Sequence, residues 1–201
     1  MQVYEVILDE ENPQSGINAI SLVNSPAIDI DFIALSKDKP KDAMIKLADQ
    51  ERQVLMGAAL VPNKPIYRKV NDDEFYILFS KETIRRASEL YFMRNRQQSA
   101  TLEHEGAIDG LTTVESWIVE DVEMDKSKKY GFDVPLGTWM VSMKVDNNDV
   151  WTNLVKTGEV KGFSIEGFFM PELRETLSKV EKPIDEYKTK LNEVKKLLQL
   201  I

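Results

Sequence analysis

Alternation of apolar and polar positions dominates the first two thirds of this chain, and it predicts mostly strands. Val3–Leu8 alternates and ends in the polar turn Asp9-Glu10-Glu11-Asn12-Pro13, while Ile17–Val23 and Ile28–Leu35 are two further apolar pieces separated by Asn24-Ser25-Pro26. Ser36–Asp42 is charged and broken by Pro40, which predicts a solvated loop. Strand signals then become dense at Val54–Val61, Pro65–Val70 and Glu74–Phe79, and three such runs in succession predict adjacent strands of a sheet or barrel. Ser80-Lys81-Glu82-Thr83 has the form of a helix start with Ser80 as cap, and Ile84, Ala87, Leu90 and Tyr91 follow on one helical face.

Two more alternating runs, Thr112–Glu120 and Trp139–Val145, flank a polar segment from Asp125 to Pro135 that reads as a loop. Asn148–Gly158 predicts a short helix with Val150, Leu154 and Trp151 turned inward and Gly158 closing its end. Gly162–Met170 returns as a strand. The period then changes: Leu177, Val180, Ile184, Tyr187, Leu191, Val194, Leu198 and Ile201 mark a heptad seam, with Pro183 dividing it into two helical pieces. The pattern predicts one domain over residues 1–172 and a C-terminal helical extension over 173–201, which either docks on its own domain or mediates association.

Composition narrows the chemistry. With 201 residues, 42% of them hydrophobic, the chain can bury a core. No apolar run reaches the ~18 residues of a membrane-spanning helix, and the first residues lack a basic segment ahead of an apolar one, so a soluble intracellular protein is expected. A net charge of −8 opposes phosphate backbones and argues against nucleic acid as a partner. The chain has no cysteine and one histidine, which excludes a disulfide framework and a zinc site of the usual nitrogen and sulfur type. No phosphate loop or cofactor fingerprint is present, and no cofactor is expected.

That single histidine, His104, stands in Thr101-Leu102-Glu103-His104-Glu105-Gly106, well upstream of a serine in Gly162-Phe163-Ser164-Ile165-Glu166-Gly167. A serine hydroxyl needs a neighbouring base, and imidazole is suited to that task near neutral pH. The second glycine around Ser164 falls one place too late for the Gly-x-Ser-x-Gly elbow of α/β-hydrolases, which disfavours that fold. These glycines either admit a close backbone approach or mark a bulge. A triad also needs a group to hold the imidazole. A hairpin from His104 into the strand beginning near Leu111 would return Glu115 beside the histidine, which makes Glu115 the first choice; Glu105, Asp109 and Glu166 are also candidates for the role.

An ordered set of segments carries a family resemblance: Gly57-Ala58-Ala59-Leu60-Val61-Pro62, Phe79-Ser80 opening a helix, Leu102-Glu103-His104-Glu105, Val114–Val119, Pro135-Leu136-Gly137-Thr138-Trp139, and Gly158 followed by Lys161–Gly167. Together with Ile20–Ala27 they resemble the prohead proteases of tailed phages, in their XkdF-like branch, over approximately residues 1–172. The resemblance implies an α+β fold related to the herpesvirus assembly protease, a β-barrel with surrounding helices. It also implies a serine endopeptidase that cleaves scaffold and major capsid precursors, and itself, within the assembling procapsid in the host cytoplasm. By that likeness Ser164 is nucleophile and His104 base. The herpesvirus relatives use a second histidine, which this chain lacks, so the third role passes to a carboxylate, Glu115 in the first instance. Self-association is expected too, and the C-terminal seam fits either an oligomer contact or a link to a scaffold segment. The competing expectation is a noncatalytic capsid-assembly or scaffold protein that keeps the protease fold.

Overall fold

The computed structural model describes residues 2–35 and 52–173. Strands β1 (Gln2–Ile7), β2 (Gly16–Val23), β3 (Ile33–Leu35), β4 (Val54–Leu60), β5 (Ile66–Val70) and β6 (Asp73–Leu78) lead into helix α1 (Lys81–Met93). After it come β7 (Ala100–Leu102), β8 (Gly106–Ala107), β9 (Leu111–Ile118), the short helix α2 (Lys126–Lys129), β10 (Trp139–Val145), β11 (Gly162–Phe168) and β12 (Met170–Leu173). The strands form three four-stranded sheets, ordered β12-β1-β6-β5, β3-β4-β10-β9 and β11-β2-β7-β8. The class is mixed α+β and rich in sheet, and the described residues close no barrel.

Burial explains how the strands are shared out. Every residue of β4 is buried, as its unbroken apolar run Val54-Leu55-Met56-Gly57-Ala58-Ala59-Leu60 requires of a strand covered on both faces. It therefore lies inside a sheet, antiparallel to both β3 and β10. In contrast, β5 exposes Tyr67 and Lys69, pairs among the described residues only with β6, and leaves β6 to pair in parallel with β1. The expectation of three adjacent strands is corrected by this division: β5 and β6 are a hairpin in one sheet and β4 is central in another.

Helix α1 begins as its sequence predicts. Ser80 Oγ accepts from the Thr83 amide at 3.2 Å, a cap worth about 1 kcal/mol, and Ile84, Ala87, Leu90 and Tyr91 are all buried. The Tyr91 ring meets Trp139 edge-on with centroids 5.6 Å apart, and its hydroxyl lies 3.0 Å from Thr113 Oγ1, which ties the helix to β10 and β9. Three other expectations are revised. The polar segment after β9 contains α2, capped by Asp125, whose carboxylate accepts from the Ser127 amide at 2.7 Å and from Trp117 Nε1 at 3.0 Å. Of Ile28–Leu35 only β3 is strand, because the chain turns after Pro26 with Asp29 at φ 49°. The helix expected after Asn148 forms as a single α-turn, Asn148–Val150, running into a π-type turn over Trp151–Val155, and Gly158 sits at φ 73°. The loop at Ser36–Asp42 and the heptad seam from Leu177 to Ile201 lie outside the described residues.

Strand β11 is held by packing on one side and by glycines at both ends. Phe163 is buried and stacks at a tilt on Phe32, with ring centroids 5.3 Å apart. A Cβ on Gly162 would lie 2.5 Å from the Pro26 side chain and 3.0 Å from the Ile30 carbonyl oxygen. One on Gly167 would lie 2.2 Å from the Gly16 carbonyl oxygen, at the register shift that follows Glu166. Gly167 thus both allows a close backbone approach and stands at an irregularity of the ladder. Gly167→Ala should cost about 3 kcal/mol, because a backbone oxygen cannot swing aside as a side chain does. Thermal unfolding should register a fall of several degrees in Tm, and an unchanged Tm would show that the two strands have slack there.

Candidate active site

The third sheet brings three hydroxyl residues into one row. Ser164 on β11 is opposite Ser21 on β2, and Ser21 is opposite Thr101 on β7. Residues in register across neighbouring strands point to the same face, with Cβ atoms about 5 Å apart. Glu166 lies two residues beyond Ser164, so it shares that face about 6.6 Å further along the strand. Phe163, the residue before Ser164, is turned the other way into the core.

His104 reaches this face from a tight turn. Leu102-Glu103-His104-Glu105 closes with a hydrogen bond from the Glu105 amide to the Leu102 carbonyl at 2.9 Å and joins β7 to β8. Glu103 at φ 49° and His104 at φ 62° both occupy the left-handed region, as the two central residues of a mirror-image hairpin turn do. Neither is glycine or asparagine, and such residues persist only where their surroundings hold them, at about 1 kcal/mol or more each. Three bonds do so here. The Glu103 amide donates to the Leu22 carbonyl at 3.0 Å, the Glu103 carboxylate accepts from the Asn24 amide at 2.6 Å, and the His104 amide donates to Ser21 Oγ at 3.1 Å.

The imidazole completes the cluster. His104 Nδ1 lies 3.1 Å from Glu166 Oε1, and the same oxygen accepts a hydrogen bond from the Thr101 hydroxyl. With Nδ1–H donating to the carboxylate, Nε2 is left as the acceptor, the tautomer a base needs in order to take a proton from serine. The His104 side chain is 43% exposed and that of Glu166 31%, so a peptide can approach the ring from solvent. Ser164 is half-buried beside them, and among the described residues no hydrogen bond joins its hydroxyl to the ring. The structure therefore gathers His104 and Ser164 on one face, with Glu166 as the carboxylate that touches the histidine.

Glu115, the first choice from the sequence, is elsewhere. β9 does not fold back on β7; it pairs with β10, placing Glu115 opposite Ser142 in the second sheet. The Glu115 carboxylate accepts from Lys126 Nζ and from Ser142 Oγ, each at 2.5 Å, and lines a groove of about 330 Å³ between α1 and β9. The hairpin expected after His104 forms with the two-residue β8 instead, because the left-handed turn returns the chain at once. Glu105 is exposed at the end of that turn, and Asp109 is exposed with its carbonyl accepting from Asn147 Nδ2 at 3.1 Å.

Burial pushes the Glu115 carboxyl up, but the hydrogen bonds and charge of Lys126, with the Ser142 hydroxyl, outweigh it and hold the group below the usual carboxylate range. A depressed folded-state pKa stabilises the protein above the unfolded value, and that contribution is lost as pH falls through the folded value. Glu115→Gln should therefore lower Tm at pH 7, slightly because the pair is partly exposed and screened, and by progressively less as pH falls below the usual carboxylate range. Thermal scans across that fall in pH check this, and an equal loss throughout would mean that the carboxylate charge is not what stabilises.

The site residues His104, Ser164 and Glu166 all fall within the segment 42–171, over which the chain matches the family model described as "Putative phage serine protease XkdF". No curated protein and no solved structure matches the chain. The match spans more than half of the sequence, and the protein belongs to this family of phage serine proteases.

Proposed function

We propose that this protein is the serine endopeptidase of phage procapsid maturation, with Ser164 as nucleophile, His104 as general base and Glu166 as the carboxylate that orients the ring. The single observation that carries the reading is the pairing of the chain's one histidine with Glu166, on the strand face that Ser164 shares. In the reaction Ser164 Oγ attacks a peptide carbonyl while His104 Nε2 takes its proton. The imidazolium, stabilised by Glu166, then protonates the leaving amine, and water resolves the acyl-enzyme by the same route in reverse. Serine, imidazole and carboxylate carry the proton transfers, and backbone amides must stabilise the oxyanion.

The substrates in this reading are scaffold and major capsid precursors, and the protease itself, cleaved inside the procapsid in the host cytoplasm by a self-associated enzyme. The family membership supports the class of reaction and the phage setting. A second reading, a capsid-assembly protein without turnover, is favoured by the absence of a hydrogen bond between Ser164 and His104. Such bonds are often long in free enzymes and tighten when substrate binds, so the first reading stands ahead.

Co-expression with the scaffold and capsid proteins of the same phage, followed by intact-mass spectrometry, tests the choice. Discrete fragments that appear with the wild-type chain and vanish with Ser164→Ala support the endopeptidase. Full-length scaffold and capsid proteins in both cases support the assembly protein.

A further inference from the structure

We infer that Thr101 and Ser21, two hydroxyl residues with no part in the chemical steps above, are positioning residues of this site, Thr101 acting on Glu166 and Ser21 on His104. The inference rests on the endopeptidase reading and adds to it the means by which a half-exposed base is kept in place.

Glu166 and Thr101 are on strands separated by β2, since the sheet runs β11-β2-β7. Two strand spacings are about 9.6 Å, so the glutamate must lie across the intervening strand to meet the threonine. The residue of β2 opposite Glu166 is Ala19, and its small side chain leaves that path open. At the far end the Thr101 hydroxyl donates to Oε1, the oxygen that also accepts from His104 Nδ1. A glutamate side chain has three rotatable bonds, and this one is about a third exposed. One bond to a histidine that is itself on a turn would leave both groups free to swing together. The second bond, from a buried threonine on a paired strand, anchors the carboxylate to the sheet.

Ser21 performs the matching task for the backbone of the base. Its side chain is fully buried, and its oxygen accepts from the amide of His104, the residue at φ 62°. That amide has no strand partner because the chain is turning, so the serine supplies the acceptor that keeps the left-handed turn closed over the sheet. One residue away, Leu22 takes the Glu103 amide on its carbonyl. β2 thus holds the turn at two successive positions and faces Ser164 at the first of them.

The test uses the full chain, a peptide spanning the scaffold bond found by mass spectrometry, and the variants Thr101→Val, Thr101→Ser and Ser21→Ala. Thr101→Val keeps the shape and removes the donor. It should lower kcat roughly 10- to 100-fold, the size expected for one hydrogen bond to a charged group, with KM within about twofold. Thr101→Ser should recover most of kcat, and Ser21→Ala should lower kcat in the same manner. Because the chain has one histidine, the imidazole gives one set of nitrogen-bound proton resonances by NMR. The Nδ1 proton should be protected from exchange in wild type and Thr101→Ser and unprotected in Thr101→Val. Wild-type kcat in Thr101→Val, or a Thr101→Ser variant as impaired as Thr101→Val, would overturn the inference while leaving the endopeptidase intact. A wild-type chain no more active than Ser164→Ala would overturn both.

Discussion

Ser164→Ala and His104→Ala are each expected to reduce peptide cleavage by about 10⁴-fold or more, and the double variant is expected to be no worse than either single one. The reason is that the hydroxyl is a weak nucleophile without its base, and the base has nothing to activate without the hydroxyl. Losses that multiplied in the double variant would mean two independent contributions. The chain offers no second imidazole to take over the role and no thiol to replace the alcohol. Steady-state kinetics on a scaffold peptide measures the effect.

Glu166→Gln is expected to lose roughly 10³- to 10⁴-fold in kcat, whereas Glu115→Gln should remain close to wild type in activity. The amide that replaces the Glu166 carboxylate carries no charge to stabilise an imidazolium. If its NH2 group turns toward the ring, it donates to Nδ1 and forces the proton onto Nε2, where it blocks the serine. Glu115 is committed to Lys126 and Ser142 in another sheet, and its loss affects stability alone. Comparable losses in the two variants, measured under conditions where both remain folded, would contradict this division of roles.

What could be read from the sequence was whatever its local periods encode. The cap at Ser80 and the buried stripe of α1 follow from the residues of a helix start and 3.6-residue spacing, and β1, β9 and β10 follow from alternation. The same period of two in a strand places Ser164 and Glu166 on one face, a signal that favours Glu166 over Glu115 once β11 is accepted as a strand. Glu115 came forward because a hairpin was expected between segments close in sequence. The deciding contacts are instead long-range: β2 pairs in parallel with β7, bringing Ser21 to Thr101 and Leu22 to the foot of the turn. Parallel neighbours need a long crossover, so no short-range pattern marks them. The left-handed pair Glu103-His104 is equally silent, since turns of this kind are ordinarily announced by Asn-Gly, and here the surrounding hydrogen bonds hold residues that do not favour it. Thr101 and Ser21 have no significance in isolation, and they acquire it only from the row they complete with Ser164.

The central claim, that His104 held by Glu166 activates Ser164, is tested most directly by labelling the folded protein with a fluorophosphonate, which reacts with activated serines, and mapping the adduct by peptide mass spectrometry. A single adduct on Ser164 that is lost in His104→Ala and strongly slowed in Glu166→Gln is the predicted result. Labelling at another serine, or labelling of Ser164 at an undiminished rate without the imidazole, would contradict it.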